Sequence, residues 1–443
     1  MTMRKYLSFI FTLLIILSLF GCAQKPVPVS ASHEVQNVMP STGIVTEFDR
    51  YAEVLSEASG LELTATFLRE LGKKETVEMV EAVESGGYNE LTWHEITGYS
   101  YHVISDMIDG TIDAENVTDL GDNGKNTFTL SFAGDIVFDP ERPVMLHAAE
   151  NGGVLNCFDP ELVKQVNNAD FFMLNNEFAI SNRGEPMTDK IYTFRSSPDS
   201  IDYLKGLGVD AVSLANNHVY DYGEEAFYDT MDYLASAGLP YVGAGYNVNE
   251  AAKGHYFIIN GFKVGVVATS RAEKFYLTPT ADFNRAGVMG TYNSRYFLAA
   301  IEMAREQCDI VIVYAHWGTE YSTKLEEEQI KMSREYIDAG ADAVIGSHPH
   351  CLQGMEYYKN APIAYSLGNF WFNDKPLDSC VLNLEVDNKL NVEVSLTPLV
   401  QENCETRIVT DAEERRALFN RVESYEPQGV AITDDGVITP IGY

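Results

Sequence analysis

The sequence predicts an α/β protein preceded by a small helical unit, and three observations carry that prediction. From residue 126 onward, short β-rich runs alternate with amphipathic helical segments, the pattern of sheets covered by helices. Polar residues of ligand type crowd the C-terminal ends of those runs, where open α/β sheets bind ligands. Ahead of them, Glu47 to Asp113 repeats apolar residues at three- and four-residue steps with no β-branched alternation. The 443 residues allow two or three domains at ~100–200 residues each. Hydrophobic residues at 45% and charged ones at 22% exclude a disordered or fibrous chain. The 65 acidic and 31 basic residues give a charge of −34, which argues against nucleic acid as a partner. A free polyanion would be repelled as well, unless bound metal or a local basic patch reverses the field at the site.

In chain order, residues 1–22 read as a lipoprotein signal peptide: Arg4 and Lys5, an apolar run from Tyr6 to Phe20, then Gly21 and Cys22. The run is shorter than the ~20 apolar residues that span a membrane. Leu19-Phe20-Gly21-Cys22 resembles a lipobox, so Cys22 is expected to carry lipid and to make this an extracytoplasmic, membrane-anchored lipoprotein. Residues 23–45, rich in Pro, Ser and Val, read as a flexible linker. Residues 46–124 read as the helical unit, with Tyr51, Val54, Leu55, Phe67, Leu68 and Leu71 in step and 96–112 continuing it.

Residues 125–400 form the α/β domain, with strands expected at 127–132, 171–174, 211–214, 264–268, 310–314, 343–345, 363–367, 381–386 and 392–396. Helices are expected at 199–207, 224–236, 294–306 and 326–339, and a hairpin turn at Asp387-Asn388. Residues 401–443 read as a C-terminal extension. The five cysteines after Cys22 form no C-x-x-C pair, their odd count leaves at least one thiol free unless it pairs between molecules, and most of them read as buried small hydrophobes.

Five strand ends carry the chemistry: Gly134-Asp135, Asn175-Asn176-Glu177, Asn216-Asn217-His218, His316-Trp317-Gly318 and Gly346-Ser347-His348-Pro349-His350. Four of the nine histidines thus directly follow apolar strands. Carboxylate, amide oxygen and imidazole together suit a borderline metal ion, and one carboxylate can bridge two ions. Taken singly, Asp135 fits a helix cap, Glu177 a solvated loop and Asn217 a turn. Taken jointly with a His-x-His pair, they read as a metal site. No phosphate-binding G-x-x-x-x-G-K motif is present, and Ser213, Ser347 and Ser366 lack a nucleophile elbow.

The ordered set Gly134-Asp135, Asn175-x-Glu177, Ala215-Asn-Asn-His218-x-x-Asp221-Tyr-Gly223, His316-Trp-Gly-x-Glu320-Tyr321, Gly346-Ser-His-Pro-His350 and Tyr365-Ser-Leu-Gly-Asn369-Phe resembles the CapA family. These are the poly-γ-glutamate capsule biosynthesis proteins, whose domain is similar to calcineurin-like metallophosphoesterases. The resemblance runs from about Thr127 to Leu396. It implies a metallophosphatase-like β-sandwich flanked by helices, with one or two divalent transition metal ions (Mn, Fe or Zn).

By the same resemblance Asp135, Glu177, Asn217, His316, His348 and His350 are metal ligands and His218 is catalytic, while Val137 stands where a further ligand histidine is expected. Trp317, Glu320 and Tyr321 are expected to line the substrate cleft. Arg195 is the candidate for gripping a carboxylate or phosphate, its alternative being a surface salt bridge. The function implied is capsule, poly-γ-glutamate or other envelope polymer biosynthesis by a metal-dependent hydrolase, phosphoesterase-like or amide-cleaving. The alternative is a non-catalytic, metal-containing polymer-binding or assembly component. The partners are an anionic envelope or capsule polymer, the membrane through the anchor, and other capsule synthesis proteins.

Overall fold

The computed structural model describes residues 46–97, 105, 116–273 and 277–441. The signal segment 1–22 with Cys22, the linker 23–45 and most of 98–115 lie outside the described residues. Helices Glu47–Ser59, Ala65–Leu71, Lys73–Glu84 and Glu90–Thr97 come first. Thr64 caps the second by accepting the Phe67 N–H. These helices enclose their own apolar cluster of Leu55, Leu68, Met79 and Trp93.

Among the described residues, fifteen strands follow in two mixed sheets. In chain order they are β1 (Val117–Gly121), β2 (Thr127–Ile136), β3 (Phe171–Asn176), β4 (Ala211–Ser213), β5 (Tyr241–Val242), β6 (His255–Ile259), β7 (Phe262–Ser270) and β8 (Ile310–His316). The rest are β9 (Ala343–Ser347), β10 (Met355–Tyr358), β11 (Ala361–Ala364), β12 (Asn369–Trp371), β13 (Leu377–Asp387), β14 (Val392–Glu402) and β15 (Glu405–Ile408). One sheet runs β1-β6-β7-β8-β9-β11-β10. The other runs β15-β14-β13-β2-β3-β4-β5, with β12 against β2. Within each sheet the central strands are parallel, so their C-terminal ends share an edge.

Period-two alternation sorts the side chains into three cores. On β8, Ile310, Ile312 and Tyr314 enter the core shared by both sheets. Val311, Val313 and Ala315 turn to the outer core with helices Arg295–Gln307 and Glu327–Asp338. On β3, Phe171 and Met173 face the shared core, and Phe172 and Leu174 face a third core with helices Pro160–Asn167 and Gly223–Ser236. The arrangement is therefore two sheets face to face with helices on both outer faces, as the sequence leads one to expect.

Two expected boundaries move. Residues 117–121, placed in the all-helical unit, form strand β1 and pair in parallel with β6. Val117-Thr-Asp-Leu-Gly121 has one buried residue and no alternation, so the sequence gives no strand signal there. Residues 401–443 are no appendage. β14 runs to Glu402 and β15 adds an edge to the sheet. Helix Ala412–Ser424 then puts Leu418, Phe419 and Val422 into the shared core. The hairpin at Asp387 forms as expected, its carboxylate accepting the Lys389 and Asn391 N–H groups.

Candidate metal centre

Strand parity delivers two residues of the site. Asn175 follows Phe171 and Met173 on the shared-core face of β3, and His316 follows Ile310, Ile312 and Tyr314 on β8. Asp135 would fall on the opposite face, because Phe128, Leu130 and Phe132 already take the shared core along β2. A bulge between Phe132 and Asp135 corrects this, and Asp135 pairs with Asn175. Gly134 sits in that bulge, where a Cβ would lie 1.8 Å from the Gly368 carbonyl oxygen. His348 and His350 adopt φ of 96° and 55°, conformations that side chains other than glycine rarely take and that concentrate at functional sites.

The structure brings together all six expected ligands. Asp135, Glu177 and His316 are fully buried, and Asn217, His218, His348 and His350 are at most 7% exposed. Two groups form, Glu177 with His316 and His348, and Asp135 with Glu177 and His350, the donor atoms of each lying within 4.8 Å of one another. Glu177 belongs to both, the place of a bridging carboxylate. Its Oε1 lies 3.6 Å from His316 Nε2, 3.8 Å from His350 Nε2 and 4.0 Å from His218 Nε2. Asn217 Oδ1 is 2.8 Å from His316 Nε2. Asp135 Oδ2 lies 3.3 Å from His350 Nδ1 and accepts the His348 N–H at 3.2 Å.

The charges suit a cation. Burial, and next the Asp135 charge, push Glu177 well above the usual carboxylate range. Burial also raises Asp135, but hydrogen bonding and charge from His350, with Asn175 and His348, outweigh it and hold the carboxyl low. Burial and neighbouring imidazoles keep His316 neutral well below 6.5 and lower His348 to about 3. Neutral imidazoles are the ligand form. Glu177 Oε1 and His348 Nδ1 are buried with no hydrogen-bond partner among the described residues, which is where a cation would satisfy them. The donor set therefore fits divalent metal.

His218 stands beside this cluster. Its Nδ1 is 2.6 Å from Asp221 Oδ2, and its ring packs 4.3 Å from that of Phe194. Asp221 also accepts the Phe194 N–H and Lys190 Nζ, each at 2.8 Å. Lys190 donates in turn to the Asn217 carbonyl and to Glu273. Sequence reasoning gave no role to Asp221, Lys190 or Asn175. Asp221 could have been found three residues after His218. Asn175 stands at the same strand end as Glu177, and its Nδ2 contacts Asp135 Oδ1 at 2.8 Å and Glu177 Oε2 at 3.2 Å. Lys190 arrives from a loop without any local signal.

Among the residues expected at the cleft, Tyr321 and Glu320 are exposed at the rim, with the Tyr321 ring 5.8 Å from that of His350. Trp317 is a correction. Its side chain is 1% exposed in the outer core, stacked on Tyr336, with Nε1 donating to the Tyr365 carbonyl. Arg195 is another: its guanidinium donates to the Arg183 and Gly184 carbonyls and lies 4.0 Å over the Tyr222 ring. Its Nη1 is engaged within the protein, and no salt bridge of Arg195 occurs among the described residues.

Two helix-flanked mixed sheets with a carboxylate-bridged histidine cluster at their strand ends define an α/β sandwich protein with a candidate dinuclear metal centre. Within that class, the chain belongs to the bacterial capsule synthesis protein family PGA_cap, which matches residues 129–374. It is 32% identical over 216 residues to the PGA biosynthesis protein CapA of Bacillus subtilis (strain 168), covering 48% of this chain and 56% of that protein. It is 27% identical over 311 residues to the capsule biosynthesis protein CapA of Bacillus anthracis, covering 68% and 74%. Among solved structures it is similar to a hypothetical protein from Thermus thermophilus, with a TM-score of 0.39 and 17% identity, over 62% of this chain and all of that one. Likewise it is similar to 5'-nucleotidase from Candida albicans, with a TM-score of 0.35 and 13% identity, over 63% and 53%.

Proposed function

We propose that this chain is a lipid-anchored, extracytoplasmic, metal-dependent hydrolase acting on an anionic polymer during capsule or envelope synthesis. The observation that carries the hydrolase reading is Glu177 Oε1, buried without a hydrogen-bond partner among the described residues and faced by the Nε2 atoms of His316, His350 and His218. Glu177, Asn217, His316 and His348 would hold one ion, and Asp135, Glu177 and His350 the other. Bound divalent ions of the Mn, Fe or Zn type would polarise the scissile phosphoryl or acyl oxygen and make water a nucleophile near neutral pH.

The remaining work falls to this chain's own groups. Asp221 receives the His218 Nδ1–H, which turns Nε2 toward Glu177 and stabilises the imidazolium. His218 Nε2–H then donates to the leaving group. Lys190 holds Asp221 from its other oxygen. The polymer is assigned from the family and from relatives that carry capsule or PGA biosynthesis in their names.

One observation favours a non-catalytic assembly component instead: Val137 is buried in the helix-side core and supplies no donor. Metal analysis of the detergent-extracted full chain, followed by assays on phosphodiester and γ-amide polymers, separates the readings. Bound metal with turnover of either substrate is the expected result. Bound metal without turnover of either gives the assembly role, and absence of metal overturns both.

A further inference from the structure

We infer that Asn369 is a ligand of the metal centre, its amide oxygen taking the place that Val137 leaves open. The inference rests on the metal reading above. The half of the cluster around His316 has four donors, among them the amide oxygen of Asn217. The half around His350 has three, Asp135, Glu177 and His350 itself. The bulge turns Asp135 inward, and Val137, two residues on, lies in the helix-side core with its N–H bonded to the Trp371 carbonyl.

The strand that makes this bond carries the substitute donor. β12 runs parallel to the end of β2 with Asn369 directly opposite Asp135, and Asn369 is fully buried. Asn369 Oδ1 lies 2.9 Å from His350 Nδ1, and Asp135 Oδ2 lies 3.3 Å from the same nitrogen. Donors bound to one ion at ordinary metal–ligand lengths stand about 3–3.5 Å apart. The neighbouring half also sets an amide oxygen beside an imidazole nitrogen, Asn217 Oδ1 with His316 Nε2 at 2.8 Å, although that nitrogen also faces Glu177, whereas His350 turns Nδ1 to Asn369 and Asp135 and Nε2 to Glu177. Asn369 Nδ2 is buried with no acceptor among the described residues, which leaves it for an oxygen that arrives with the ion, water or substrate. Each half would then hold two side-chain oxygens or nitrogens of its own, one amide oxygen, and the shared Glu177.

The test loads full-length protein with Co2+ and measures stoichiometry by elemental analysis, affinity by titration, and coordination by the d–d absorption. Wild type is expected to hold two ions. N369A should bind one of them about tenfold or more weakly, or keep it with an altered spectrum as water takes the vacated position. N369D, which restores an oxygen donor, should recover both, and N217A should weaken the other ion. N369A with two ions, wild-type affinity and an unchanged spectrum overturns the assignment. So does a loss that N369D does not repair, or a wild type with a single ion that N369A leaves in place. A wild type without any metal sinks the metal reading itself, a result distinguishable from the others.

Discussion

Burial and the Asp135 charge raise the Glu177 carboxyl, so the folded, metal-free protein holds its proton more tightly than the unfolded chain does. Stability then falls as pH rises above the unfolded value of 4.5, and the whole penalty is present above the folded pKa. E177Q removes that ionisation without changing the shape. Metal-free E177Q should therefore melt above metal-free wild type at pH 8, by a difference worth about 1–3 kcal/mol, and the gap should close toward pH 4. Divalent metal should raise the melting temperature of wild type only. Wild type melting at or above E177Q without metal at pH 8 would refute the argument. His218 differs in kind, since its Nδ1 is committed to Asp221 and it joins neither donor group. H218A should keep its metal and lose about 10²–10⁴-fold in rate, measured by elemental analysis beside the hydrolysis assay. The position of His316 was legible in the sequence because it ends an apolar strand whose alternation faces the shared core, whereas His348 and His350 take left-handed backbone conformations that no pattern announces. The same parity explains the misreading of Trp317: with His316 facing the shared core, the next residue must face the outer one.

At the scale of elements, the site depends on one extra residue in β2. The bulge turns Asp135 to the shared face, and Gly134 lets the chain pass against Gly368, whose carbonyl accepts the Asp135 N–H at 3.1 Å. An alanine at 134 would have to push that strand connection away, at a cost of about 1–3 kcal/mol, and would separate Asp135 from β12. G134A should show a lower denaturation midpoint and weaker binding of the ion near His350; a folded G134A with wild-type values of both would remove the bulge from the explanation. A bulge leaves no trace in hydropathy, so the strand was legible and its turn of face was not. The long strands β2, β8, β13 and β14 show in the sequence because their apolar residues are strongly patterned. β1, β10, β12 and β15 are short edge or satellite strands, fixed by their partners rather than by local propensity. For the same reason the end of the chain read as an extension, although Phe419 and Val422 close the shared core.

For the whole molecule, the charge of −34 must be reconciled with the anionic polymer proposed as substrate. Repulsion between a free polyanion and this domain acts over a Debye length, ~8 Å at physiological ionic strength, so a soluble form should meet its substrate slowly at low salt. Holding the domain beside polymer leaving the membrane raises the local concentration of substrate without attractive charge. Arg4 and Lys5, the apolar run to Phe20, and Gly21-Cys22 would supply that hold through lipid on Cys22. A single acyl chain gives only marginal membrane binding, whereas two give stable anchoring, so diacylation is the form expected. C22S should leave the membrane fraction or stay only with its signal uncleaved, while wild-type Cys22 should carry lipid in the mass spectrum. The released form should cleave anionic polymer faster as salt is raised, whereas the anchored form in its membrane should respond little. An unmodified Cys22 in mature membrane-bound protein excludes the anchor. A released form whose rate on the polymer falls with salt shows instead that an attractive patch, and not proximity, overcomes the charge.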